Sequence, residues 1–100
     1  MIHAVLPQME TMGAVYLASA HLALGVSNFL MGKAAAAVPH LETAYTSATS
    51  HTSRKATAAF YSGESYSALH NPSEARRAYQ NAIKALPNGR SGIRALERIS

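Results

Sequence analysis

The sequence predicts an all-α protein built from antiparallel helical hairpins, and three observations carry that expectation. Its 100 residues are 48% hydrophobic, rich in alanine and poor in Val, Ile and Trp, a balance that favours helix over strand. Apolar or small residues recur at helical spacing in two runs, first Ala56, Ala59, Phe60, Gly63 and Tyr66, then Ala75, Ala78, Tyr79, Ala82, Ile83 and Leu86. Between the runs stands Asn71-Pro72, which stops one helix and starts another. Asn71 can cap through its side-chain carbonyl, and Pro72 suits the first helical position, where no donor is needed.

The length suits one domain with a modest core. No cysteine is present, which excludes a disulfide framework, a thiolate metal site and a thiol nucleophile. The five acids are all glutamates, Glu10, Glu42, Glu64, Glu74 and Glu97. Lack of aspartate removes the commonest orienting partner of a catalytic histidine and several carboxylate metal sites.

Taken in order, residues 1–18 read as an N-terminal helix or extension, with Pro7 at a helix start and Glu10 in its first turn. Gly13 or the Ala18-Ser19 region is the expected place for a break. From Thr11 to Gly32 no residue carries a fixed charge, which raises the question of a membrane anchor over residues 11–32. Ser19, His21, Ser27 and Asn28 interrupt that run and argue against burial in lipid. Lys and Arg are absent before Lys33, and Glu10 lies where a secretory signal carries positive charge. The expected location is therefore cytoplasmic. A helix apolar nearly all round is otherwise a covered one.

Gly32-Lys33 supplies a turn, and a second helix is expected over Ala34–Ala48. Pro39 lies inside it, so that helix either kinks near Ala35 or becomes regular only from Pro39. The polar segment from Thr46 to Thr52 reads as a connection. A helix follows over Ser53–Leu69, and another from Pro72, with Glu74 against the positive end of its dipole. Pro87, Asn88 and Gly89 end that one. Ser91–Ser100 form a short basic helix.

Residues 55–88, 34 in number, resemble one tetratricopeptide repeat. Gly63, Tyr66, Ala75, Tyr79 and Pro87 fit the family's slots, and Ala82 stands where it prefers a small residue. Ala59 and Ser62 depart from the pattern, which suggests looser packing at the start of the first helix. Shifted back by 38 positions, Gly63 falls on Gly25, Ala75 on Ala37, Tyr79 on Leu41 and Ala82 on Ala44, so residues 19–51 resemble a degenerate copy. Leu24-Gly25 restores the leucine-glycine pair, whereas Asn28 replaces the tyrosine and Thr49 the proline. Residues 90–100 would cap the last hairpin, as the ends of stacked repeats require. The resemblance implies a short right-handed solenoid that binds proteins and performs no catalysis.

On that resemblance, the concave groove would be lined by Leu22, Val26, Phe29 and Leu30 from the first copy and by Phe60 and Glu64 from the second. No lysine or arginine stands among them, which speaks against a clamp for a terminal carboxylate and for an amphipathic helix. That helix would come from a protein or peptide partner, from a second copy of the chain, or from this chain's own N-terminal segment. The long uncharged N-terminal run favours a homodimer or a place in a larger assembly.

A second class of function comes from charge. Residues 51–100 hold eight Lys/Arg against three Glu, and Arg76, Arg77, Lys84, Arg90, Arg94 and Arg98 could present a basic surface to nucleic acid or an acidic partner. The last three recur every four residues, as a stripe on one helix would. No other chemistry is indicated. The histidines at positions 3, 21, 40, 51 and 70 show no ligand spacing, and His21 reads as a core or interface residue. No HExxH, GxSxG or phosphate-loop motif occurs, and no cofactor is implied.

Overall fold

A computed structural model of the chain describes residues 17–47 and 51–100. The helix start expected at Pro7, the break at Gly13 and part of the 46–52 connection lie outside the described residues. Within them the protein is all-α, with no strand, and its helices pair as antiparallel hairpins. Helix α1 is described over 17–30, α2 is Ala34–Thr46, α3 Thr52–Ala68, α4 Pro72–Ala85 and α5 Arg90–Ile99. Helix α1 runs unbroken through Ala18 and Ser19, so the break expected there is absent.

Both hairpins turn in the same way. At the end of α1, Gly32 has φ of 78°, its N–H donates to the Phe29 carbonyl, and the Lys33 N–H donates to that of Asn28. At the end of α3, His70 has φ of 60°, its N–H donates to Ser67, and the Asn71 N–H donates to Tyr66. Each is a Schellman motif with a left-handed residue after the helix, a place where glycine is the ordinary choice. Gly32 and His70 are 38 positions apart.

The seams repeat with the same offset. A Cβ added at Gly25 would stand 2.5 Å from the Leu41 side chain, and one added at Gly63 would stand 2.5 Å from the Tyr79 ring. Absence of a side chain on the first helix of each hairpin thus admits the one large residue of the second. Alanines complete both seams, with Ala37 and Ala44 buried on α2 and Ala75 and Ala82 on α4. Phe60 and Leu41 are the largest fully buried side chains.

Ala59 and Ser62, the two departures from the repeat pattern, do not loosen α3. They are 2% and 1% exposed, beside Ala58 at 0% and Ser65 at 0%. Small side chains let α3 approach its neighbours closely, so the expectation of slack is corrected. The hydroxyls of Ser62 and Ser65 have no hydrogen-bond partner among the described residues.

Two other helix starts bear on the sequence reading. Helix α2 begins at Ala34 and continues through Pro39. The missing proline donor strands the Ala35 carbonyl, but both residues are exposed, so water can serve it. Asn71 caps α4, its Oδ1 accepting from the Glu74 N–H at 3.5 Å, with Pro72 in the first turn.

Candidate functional site

The chemistry of the molecule gathers where α5 lies along α3. Three contacts define the seam: Ser91 Oγ donates to Thr57 Oγ1 at 3.4 Å, the Arg94 guanidinium sits 4.6 Å from the Phe60 ring centroid, and Arg98 Nε donates to Glu64 Oε1 at 2.7 Å. Each pair is separated by 34 residues. Helix α5 therefore runs parallel to α3 in a single register over two turns, with Gly92 and Ala95 buried beneath it. In that register Arg90, which opens α5, is equivalent to Ala56, so α3 begins one turn earlier, at Thr52. Part of the surplus that stretches the earlier offset from 34 to 38 is therefore helical.

Glu64 is the hub of this seam. Its Oε1 also accepts from the Tyr79 hydroxyl at 2.7 Å, and that hydroxyl lies 3.4 Å from Ser67 Oγ. With Tyr79 donating to Glu64, Ser67 is the donor in the second bond. Burial, first of all, pushes the Tyr79 phenol above its ordinary range. The Ser67 hydrogen bond opposes the rise, and the bond to Glu64 adds to it. The Arg98 guanidinium is held higher than usual by its bond to Glu64.

These contacts redistribute the residues expected to line a groove. Phe60 is 1% exposed under Arg94 and Arg98, and the Glu64 side chain is 18% exposed and engaged by Arg98. Neither offers free surface while α5 is in place. From α1, Leu22, Val26 and Phe29 are half-buried. Phe29 tilts against Tyr61 of α3 with ring centroids 5.7 Å apart, which ties the two hairpins together. Leu30 is 70% exposed.

The expected basic surface is likewise partly spent inside the chain. Arg77 pairs with Glu74 at 2.8 Å and approaches Glu42 of α2 at 3.6 Å. Arg94 and Arg98 face Phe60 and Glu64. Arg76, Lys84 and Arg90 are exposed. The stripe read from the fourfold spacing of Arg90, Arg94 and Arg98 exists, but its last two members hold α5 to α3.

The feature that reading by repeat slots passed over is the outer side of α1. Leu17, Leu24 and Met31 are 58%, 49% and 62% exposed. They fall seven residues apart, a spacing that keeps side chains on nearly one line of a helix. Exposed Ser27 and half-buried Ala20 lie between them, small enough to leave the leucines proud. A heptad count would have found this stripe.

Also unanticipated is a contact across the first hairpin, where His21 Nδ1 and His40 Nδ1 stand 2.9 Å apart. Among the described residues no group of three or more His or Glu side chains comes together as metal ligands would. Nor is any described helix long and apolar enough to cross a membrane, although residues 11–16 of the segment in question lie outside the described range. No family model matches the sequence, and no curated protein or solved structure matches the chain.

Proposed function

We propose that this chain is a small tetratricopeptide-type scaffold for protein–protein interaction, non-catalytic, whose docking face is the outer side of α1. The observation that carries the repeat reading is the 34-residue register between α3 and α5, held at three successive positions. It is the length of one such repeat. The equivalence of the two hairpins at a 38-residue offset, in both turn and seam, supports it.

Placing the docking face on α1 rests on exposure. Phe60 and Glu64 are occupied by α5, whereas Leu17, Leu24 and Met31 lie open in one row. A row of large apolar side chains on one helix suits another amphipathic helix. The first occupant to test is a second copy of the chain. Residues 17–30 contain no Asp, Glu, Lys or Arg, so two copies of this face can meet without like-charge repulsion. Methionine at position 31 adds surface that adapts to a partner.

Light scattering with chromatography on the purified chain at tens of micromolar tests the reading. The expected result is a dimer, which Leu24→Glu together with Met31→Glu converts to a folded monomer. A monomeric parent that also ignores added amphipathic helices would overturn it. The nucleic-acid reading is the weaker one, because Arg77 and Arg98 are already paired and Arg94 is stacked on Phe60.

A further inference from the structure

The His21–His40 contact has a definite geometry. Its ring centroids are 5.2 Å apart and its Nδ1 atoms 2.9 Å. The excess is one ring radius at either end, so both nitrogens lie on the line of centres and aim at each other. Two imidazoles that chelate a metal ion must instead turn both lone pairs off that line toward a common point. The arrangement is an N–H···N hydrogen bond, in which one ring donates and the other accepts.

Such a bond counts protons. The pair holds one N–H between the two Nδ1 atoms, and a proton added at the donor ring's Nε2 makes the bond charge-assisted. The next proton has to go onto the accepting Nδ1. Two N–H groups and two positive charges then face each other, and the contact is lost.

Among the described residues no carboxylate lies against the pair to supply a countercharge. Within residues 17–30 His21 is the only titratable residue. On α2, Glu42 lies within 3.6 Å of Arg77, and Tyr45 lies beneath the Lys55 ammonium. On α3, which packs against α2, Glu64 is held by Arg98, Lys55 lies over Tyr45, and the imidazoles contact each other. The hollow of about 310 Å³ beside His21 is lined by Leu17, Ala18, Thr43, Thr46 and Ser47.

We propose that the His21–His40 pair is a proton-operated latch on the first hairpin, closed while at most one ring is charged and opened when both are. It joins α1 to α2 one turn from the Gly25–Leu41 seam, so release loosens the start of the described α1 while that seam and the Phe29–Tyr61 contact still hold its later turns. The open state takes two protons where the closed pair keeps one. Stability of the hairpin then falls with falling pH, and the open-to-closed ratio rises by up to about tenfold per pH unit. The latch acts within one chain and stands whether or not α1 docks a partner.

Imidazole nitrogen NMR tests it on the intact chain, by looking for scalar coupling between the two Nδ1 atoms near neutral pH and again at about pH 5. Denaturation midpoints over the same range, for the parent and for His40→Gln, give the second readout. The expected result is a coupling that vanishes on acidification, with an acid loss of stability that His40→Gln reduces and His51→Gln and His70→Gln leave intact. A parent without the coupling at neutral pH overturns the proposal, even if His40→Gln does not fold. So does an acid loss that is the same in the parent and in His40→Gln.

Discussion

Alanine at position 63 offers a sharp test of how closely α3 and α4 approach. Gly63 lies within α3, where helix propensity alone makes alanine better by about 1 kcal/mol. The packing says the reverse. An added Cβ would stand 2.5 Å from Tyr79 Cδ1 and Cε1 and 2.9 Å from Cζ. That ring is 4% exposed, packs on Phe60 with centroids 5.9 Å apart, and has its hydroxyl bound to Glu64. It cannot swing aside without breaking those contacts. Overpacking of this kind costs about 1–3 kcal/mol, so after the propensity gain a net loss of about 1 kcal/mol remains. For a chain this size that lowers Tm by about 4–8 °C. Gly25→Ala should act in the same direction, because Leu41 Cγ and Cδ2 lie at 2.5 Å and the Leu41 backbone nitrogen at 3.2 Å. Circular dichroism melts of both variants give the sign. In a double-mutant cycle, Gly63→Ala should cost less in a Tyr79→Ala background, by about 0.5 kcal/mol or more. A Gly63→Ala variant that melts above the parent would refute the reasoning.

Three further outcomes follow from particular side chains. Ser62→Ala removes a buried hydroxyl that has no partner among the described residues and should raise stability by about 1 kcal/mol. A loss in urea denaturation would mean that the hydroxyl is hydrogen-bonded. His70→Gly relieves a left-handed backbone at φ of 60° and should stabilise by about 0.5–1 kcal/mol, whereas an unchanged melt would count against the strain. Burial is the largest cause raising the phenols of Tyr66 and Tyr79 above their ordinary value. The unfolded chain therefore ionises first, so their contribution is fully present below about pH 10 and is lost as pH rises through the folded values. Phenolate absorbance should rise together with loss of helix, and ionisation of both phenols near pH 10 with helix intact would contradict it.

Local rules made most of the helices legible. Asn71-Pro72 marks the start of α4, Gly32 marks the first turn, and the alternation of alanine with one large residue marks each seam. What escaped depends on pairs far apart in sequence. Nothing near His70 announces a left-handed residue, since its role comes from the end of α3 at that point. His21 and His40 are 19 positions apart and meet only because the Gly32 turn folds α2 back on α1. Phe60 and Glu64 looked like groove residues because the repeat pattern places them on the first helix. The pattern places a basic capping helix over 90–100 but does not say that Arg94 and Arg98 arrive in register to cover them. The exposed row on α1 was within reach, but counting by repeat slots picked out Leu22 and Val26 instead of Leu24.

The claim that the outer side of α1 is the docking face has a direct test, because the chain contains no cysteine. A thiol introduced by Leu24→Cys can form a disulfide only between copies. The control is Gln80→Cys, at an exposed position on α4. Under mild oxidation at tens of micromolar, Leu24→Cys is expected to give covalent dimer rapidly and Gln80→Cys only slowly. Dimer formation by Leu24→Cys should also be suppressed by adding Met31→Glu. Equal rates for the two single variants, in folded chains, would contradict the account.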